Sequence, residues 1–278
     1  MDESKPPAIA SPARPDDDTA LEVMRLAEQL AERLDVERRA ERELSLAREV
    51  QARLFPQRLP SLRTLELAAR CIQARSVGGD YYDFIELGPE QVGLVLADVS
   101  GKGVHAALRM ANLQAHVRSQ AASAPQDPLR VLRLVNRMLC ESTPAGHFAT
   151  LFFGVYNDAS RRLSYINCGH NPVFCLRRDG SVEKLGATAT VLGMFEDWEC
   201  ALGRLPLHPG DLLAIYSDGI TEATRQNEQF GEERLIEALR LDPASPVEDA
   251  VTHVLAQVQA FSSGEQMDDL TLMVARVR

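Results

Sequence analysis

The sequence predicts an α+β fold, a layered domain of mainly antiparallel sheets preceded by a long N-terminal helix. Three observations predict it. Short apolar runs of strand length fall into blocks, and pairs of helical segments separate those blocks. That order is not the single-strand, single-helix rhythm of a parallel sheet. Upstream of both, residues 19–54 carry a Leu-, Ala-, Glu- and Arg-rich pattern of helical period.

Residues 1–18 are rich in Pro, Ala and Asp without periodicity, and read as a disordered tail. Residues 19–56 form a helical arm. Ala20, Val23, Ala27, Leu30 and Leu34 follow a 3-4 spacing, Glu37 and Glu41 interrupt it, and Leu44 and Ala47 restore it. The seam suits either a two-stranded coiled coil or a helix packed on its own domain. Pro56 and Pro60 end the helix, and residues 57–278 make the main domain. Strands are expected over Leu65–Ile72, Tyr82–Leu87 and Val92–Asp98, then helices over Val104–Gln120 and Asp127–Glu141, broken at Pro125 and Pro128. A strand block follows at Thr150–Tyr156, Leu163–Asn167, Val173–Arg177, Ala201–Leu207 and Leu212–Tyr216. Helices over Glu232–Leu239 and Pro246–Phe261 precede a last strand, Leu270–Val277.

Composition narrows the function. The 278 residues are 45% hydrophobic, enough for one large core. A net charge of -10 argues against nucleic acid, whose phosphates need a basic footprint. No apolar run approaches the ~20 residues of a spanning helix, so no membrane segment is expected. Five cysteines without a C-x-x-C pair read as free thiols in a reducing cytoplasm, with Cys71 and Cys168 inside apolar strands.

The chemistry concentrates at four strand ends. Gly88-Pro89-Glu90 is a turn between two strands, and a hairpin centred there sets Asp80 opposite Asp98. Facing carboxylates repel by about 4 kcal/mol at 4 Å and an effective dielectric of 20. A hard divalent cation between them removes that cost. The apolar run Leu212–Tyr216 stops at Ser217-Asp218-Gly219, and Asp268-Asp269 immediately precedes the last strand. Any one such aspartate is ordinarily a turn or cap. Four together point to a carboxylate centre for Mg²⁺ or Mn²⁺ rather than zinc.

The segments Gly78-Gly79-Asp80-Tyr81-Tyr82-Asp83, Ala97-Asp98-Val99-Ser100-Gly101-Lys102-Gly103, Asn167-Cys168-Gly169-His170-Asn171-Pro172, Tyr216-Ser217-Asp218-Gly219 and Asp268-Asp269-Leu270-Thr271 resemble, in order and spacing, the motifs of the PPM-type metal-dependent phosphatases. Their bacterial SpoIIE-like branch is the most similar, over roughly residues 47–278. The resemblance implies a four-layer α-β-β-α sandwich and two Mn²⁺ or Mg²⁺ ions bridged by a water. It implies Asp80 as the bridging carboxylate, Asp98 as a second ligand, the Val99 carbonyl as a third, and Asp218 and Asp268 as the rest. Asp269 is the alternative to Asp268. Arg75 matches an arginine that grips the substrate phosphate, against the plainer reading of a solvated arginine. His170 is either a general acid or a turn histidine bonding backbone, Lys102 either meets an anion or is solvated, and Asp83 and Glu222 support the site or lie on the surface.

The resemblance also implies a substrate and a mode of control. Relatives in this branch hydrolyse phosphoserine or phosphothreonine on an anti-sigma-factor antagonist in a partner-switching pathway. An upstream activator or sensor, and a homodimer through the N-terminal helix, are the expected partners. The helical segment over Val104–Gln120 is expected to move on activation. Two rivals remain. Gly78-Gly79-Asp80 superficially resembles the loop of diguanylate cyclases, but that loop needs Glu where Tyr81 stands and leaves three aspartates unexplained. The other is a catalytically weak or inactive PPM scaffold that only binds a partner.

Overall fold

A computed structural model describes residues 17–144, 146–240, 245–262, 264 and 266–278. The expected tail lies outside them except for residues 17 and 18, which already belong to the first helix. That helix, α1, runs Asp17–Ala52. The chain divides into two compact units between Leu46 and Ala47. In the first, Ala27, Leu30 and Leu34 of the apolar seam are exposed. The second takes in the last turns of α1, because the buried Gln51 bonds the backbone there: its Nε2 donates to the Gly78 carbonyl at 2.8 Å.

The second unit holds β1 (Leu65–Ile72), β2 (Tyr81–Gly88), β3 (Gln91–Val99), α2 (Val104–Ser123), α3 (Pro128–Ser142), β4 (Ala149–Asn157), β5 (Arg162–Cys168), β6 (Val173–Leu176), β7 (Val182–Leu185), β8 (Gly203–Pro206) and β9 (Leu212–Tyr216). It continues with α4 (Asp218–Glu222), β10 (Thr224–Arg225), β11 (Glu228–Gln229), α5 (Gly231–Leu239), α6 (Val247–Phe261) and β12 (Leu270–Val277). One five-stranded sheet has the order β1-β12-β9-β6-β7 and the other β2-β3-β4-β5-β8. Every pairing in both is antiparallel.

Three hydrophobic clusters fill the spaces between four layers, as expected. Met110, Leu113 and Val117 of α2 and Val131, Leu132 and Val135 of α3 pack on one face of the β2–β8 sheet. Leu94, Leu96 and Phe152 meet Leu213, Ile215 and Met273 between the sheets. Val251, Val254 and Val258 of α6 and Leu235 of α5 cover the outer face of the other sheet. Local chemistry sets the element ends. Asp127 caps α3 by accepting the Arg130 N–H at 3.0 Å, with Pro128 in the first helical turn. In the β2–β3 hairpin Tyr81 faces Ala97 and Asp83 faces Val95, so the next step of the ladder sets Asp80 opposite Asp98. Among the described residues all five cysteines are free, and no helix is long and apolar enough to cross a membrane.

Candidate metal centre

The site forms where strand ends of both sheets meet. Asp80 precedes β2 and Asp98 lies at the end of β3 in one sheet; Asp218 follows β9, and Asp268 and Asp269 precede β12, in the other. Antiparallel pairing of neighbours (Tyr81 with Ala97, Tyr216 with Leu272) puts each pair of ends on the same side.

Asp80 is buried, and burial followed by the charges of Asp98 and Asp269 holds its carboxyl well above the usual carboxylate range. Hydrogen bonds from Thr271 and Ser217 oppose that shift. Burial, then the charges of Asp218, Asp268 and Asp269, push Asp98 up to about 7, against the pull of Lys102. Asp218 is raised by burial, Asp268 and Glu222. Each carboxylate therefore feels another: Asp80 feels Asp98 and Asp269, Asp98 feels Asp218, Asp268 and Asp269, and Asp218 feels Asp268. Val99 is buried, and its carbonyl oxygen lies 2.8 Å from where a Cβ on Gly79 would sit. Only glycine leaves that backbone approach open.

Asp268 and Asp269, adjacent in sequence, do different work. Asp269 is buried and accepts backbone N–H groups from Ala74 at 2.8 Å, Gly79 at 2.9 Å and Asp80 at 3.3 Å. It fixes the loop that carries Asp80. Asp268 is half-exposed; Lys102 Nζ donates to its Oδ2 at 2.7 Å, and the Asp269 N–H donates to its Oδ1 at 3.0 Å.

Arg75 is exposed and shares a small crevice with Asp98, Lys102, Gly103, Asp268 and Asp269. His170 is interior: its Nδ1 pairs with the Thr150 hydroxyl at 2.8 Å, and burial pulls it down to about 4. That enclosure is in keeping with the structural reading of His170. Asp83 is fully buried against Arg118 on α2, and Glu222 is exposed.

Four positioning residues were not read from the sequence. Gln51 holds Gly78 at both its N–H and its carbonyl. Ser217 donates to the Asp269 carbonyl at 3.2 Å, Thr271 donates to Asp80, and Arg118 holds Asp83. Ser217 and Thr271 at least flank motif aspartates; Gln51 and Arg118 lie in helices with no local signal.

The donor set fits hard divalent cations: carboxylates and a carbonyl, crowded enough to raise one another's pKa. Among the described residues, however, no three acidic, His or Cys side chains lie close enough to enclose one ion as they stand.

Two facing antiparallel sheets, a helix pair outside each and aspartates at one end define a PP2C-type phosphatase domain. The chain belongs to the SpoIIE family: residues 88–278 match Stage II sporulation protein E (SpoIIE). It is 31% identical over 260 residues to protein IcfG of Synechocystis sp., covering 83% of this chain and 41% of IcfG. It is 28% identical over 235 residues to phosphoserine phosphatase RsbU of Bacillus subtilis, covering 84% of this chain and 70% of RsbU. The SiaA-PP2C domain of Pseudomonas aeruginosa shares the fold with a TM-score of 0.77 at 19% identity, over 87% of this chain and 98% of that domain. The catalytic domain of serine threonine protein phosphatase PstP, in complex with 2 manganese ions, does so with a TM-score of 0.58 at 20% identity, over 77% and 98%.

Proposed function

We propose that this chain is a metal-dependent protein phosphatase that hydrolyses phosphoserine or phosphothreonine on a regulatory protein, an anti-sigma-factor antagonist in a partner-switching pathway. The observation that carries the reading is the convergence of Asp80, Asp98, Asp218 and Asp268 from four strand ends onto one mutually repelling cluster. RsbU is named a phosphoserine phosphatase, and PstP holds 2 manganese ions on the same fold. Both support the activity and a pair of Mn²⁺ or Mg²⁺ ions here.

Bound divalent ions supply acidified water and neutralise charge on the phosphoryl oxygens. The chain's own residues hold and orient. Asp80, Asp98, Asp218, Asp268 and the Val99 carbonyl would be the donors, Asp268 being preferred to Asp269 because the Asp269 carboxylate already accepts three backbone N–H groups. The Arg75 guanidinium, in the same crevice as Asp98 and Asp268, matches the geometry of a substrate phosphate.

The domain spans residues 57–278 together with the last turns of α1, and the rest of α1 is an arm. Exposed Leu26, Leu30 and Leu34 support a homodimer or an activator docking along it, in the cytoplasm. In this reading the protein stays weakly active until its N-terminal helices are organised. Equal turnover by the full chain and by a chain beginning at Ser45 would count against that control.

The activity is tested by phosphate release from a phosphoserine antagonist domain with and without Mn²⁺. Release that requires Mn²⁺ and disappears in Asp98→Asn and Asp218→Asn is expected. A folded sample with its activator present that releases none would favour the second reading, a partner-binding scaffold. The engagement of both Asp268 oxygens by the protein itself is the observation that keeps that alternative in play.

A further inference from the structure

Lys102 sits between Gly101 and Gly103, whose φ values of 104° and 70° lie in the left-handed region that glycine adopts freely. The turn carries the chain from the end of β3 into α2, and from it the lysine reaches the segment before β12. Its ammonium donates to Asp268 Oδ2 and to the Met267 carbonyl, each at 2.7 Å. Lys102 also lowers the carboxyl pKa of Asp98 and of Asp218, against the stronger upward push of burial and neighbouring acids. One ammonium thus acts on three of the four proposed carboxylate ligands. Because both partners are nearly half exposed, the pair is weak and exchangeable.

We propose that Lys102 is an internal counter-cation that Asp268 exchanges for a divalent ion, so that metal loading displaces the lysine. The inference rests on the metal-centre reading above. The Nζ contact occupies one Asp268 oxygen and the Asp269 N–H the other, so a metal ion at Asp268 competes with the ammonium for the same carboxylate charge. Loading sets a dication against the ammonium contact and beside its positive charge. Both effects weaken metal binding. Removing the ammonium relieves both, while leaving every proposed donor in place.

The test is Mn²⁺ binding alone to the full chain, by calorimetry at one fixed pH for every variant and without phosphoprotein. Lys102→Met should bind Mn²⁺ roughly three-fold or more tightly, the scale of one surface ion pair. Lys102→Arg, which keeps the charge, should stay within about two-fold of the parent. Thermal melts give an independent readout: the gain in Tm on replacing EDTA by Mn²⁺ should be larger for Lys102→Met than for the parent. Unchanged or weaker binding by folded Lys102→Met overturns the exchange while leaving the metal centre standing. If the parent binds no Mn²⁺ at all, the metal centre itself falls and the exchange with it.

Discussion

The Asp83–Arg118 pair joins β2, which begins one residue after Asp80, to α2, which begins beside Lys102. Asp83 is completely buried and accepts four hydrogen bonds: the Tyr81 hydroxyl at 2.6 Å, Arg118 Nε at 2.6 Å, an Arg118 terminal nitrogen at 2.8 Å and the Phe84 N–H at 2.8 Å. Arg118→Met keeps the aliphatic stem and removes the fork. Breaking a buried pair from one side costs about 3–5 kcal/mol. Two things moderate this. Arg118 is 47% exposed, so water can reach the vacated oxygens, and Tyr81 and Phe84 still satisfy Asp83. The expected loss is therefore about 2–3 kcal/mol, read from urea denaturation in EDTA. Asp83→Asn retains an acceptor for Tyr81 and removes the charge. Added to Arg118→Met it should cost less than the sum of the single changes by about 1 kcal/mol or more. A loss below about 0.5 kcal/mol for Arg118→Met, or strict additivity in the double variant, would refute the claim that this pair pins α2 to the sheet.

Three further outcomes are expected. Asp269→Asn should lower metal-free stability by about 2–3 kcal/mol, because an amide cannot accept at both oxygens as the carboxylate does; Asp268→Asn should weaken Mn²⁺ binding yet cost under about 1 kcal/mol in EDTA. Gly78→Ala would place its Cβ 1.9 Å from Asp269 Oδ2 and should unfold at urea concentrations reflecting a loss of about 3 kcal/mol, whereas Gly186→Ala, with nothing within 4 Å, should stay within about 0.5 kcal/mol. Burial pushes Asp158 up, but hydrogen bonds from the Thr64 hydroxyl and the Arg63 and Thr64 N–H groups outweigh it and hold the acid down at about 2. Its stabilisation is complete above about pH 4 and fades as pH falls towards 2, so Asp158→Asn should lose about 2 kcal/mol at pH 6 and converge with the parent in acid.

Most of the fold was legible because burial has a period. Strand runs at Leu65–Ile72, Leu212–Tyr216 and Leu270–Val277 end where expected, and the β2–β3 register follows from one Pro-containing turn and strict side-chain alternation. The aspartates were legible because a charged residue that stops an apolar strand is conspicuous along the chain. Elements too short to show a period, the edge strand Val182–Leu185, the short helix Asp218–Glu222 and the strands Thr224–Arg225 and Glu228–Gln229, were not.

By itself, then, the sequence determined the element order, the hairpin that aligns Asp80 with Asp98, and the set of acidic candidates. Tertiary structure alone decided what each candidate touches. Lys102 meets Asp268 across 166 residues, and Asp269 meets Gly79 across 190. Both contacts exist because the last strand, β12, inserts between β1 and β9 and brings the end of the chain back to its first strands. Local pattern dictates which face of a segment is buried, but a partner that far away is chosen by sheet order. Sheet order is why Asp269 became a backbone clamp and Asp268 was left facing a lysine.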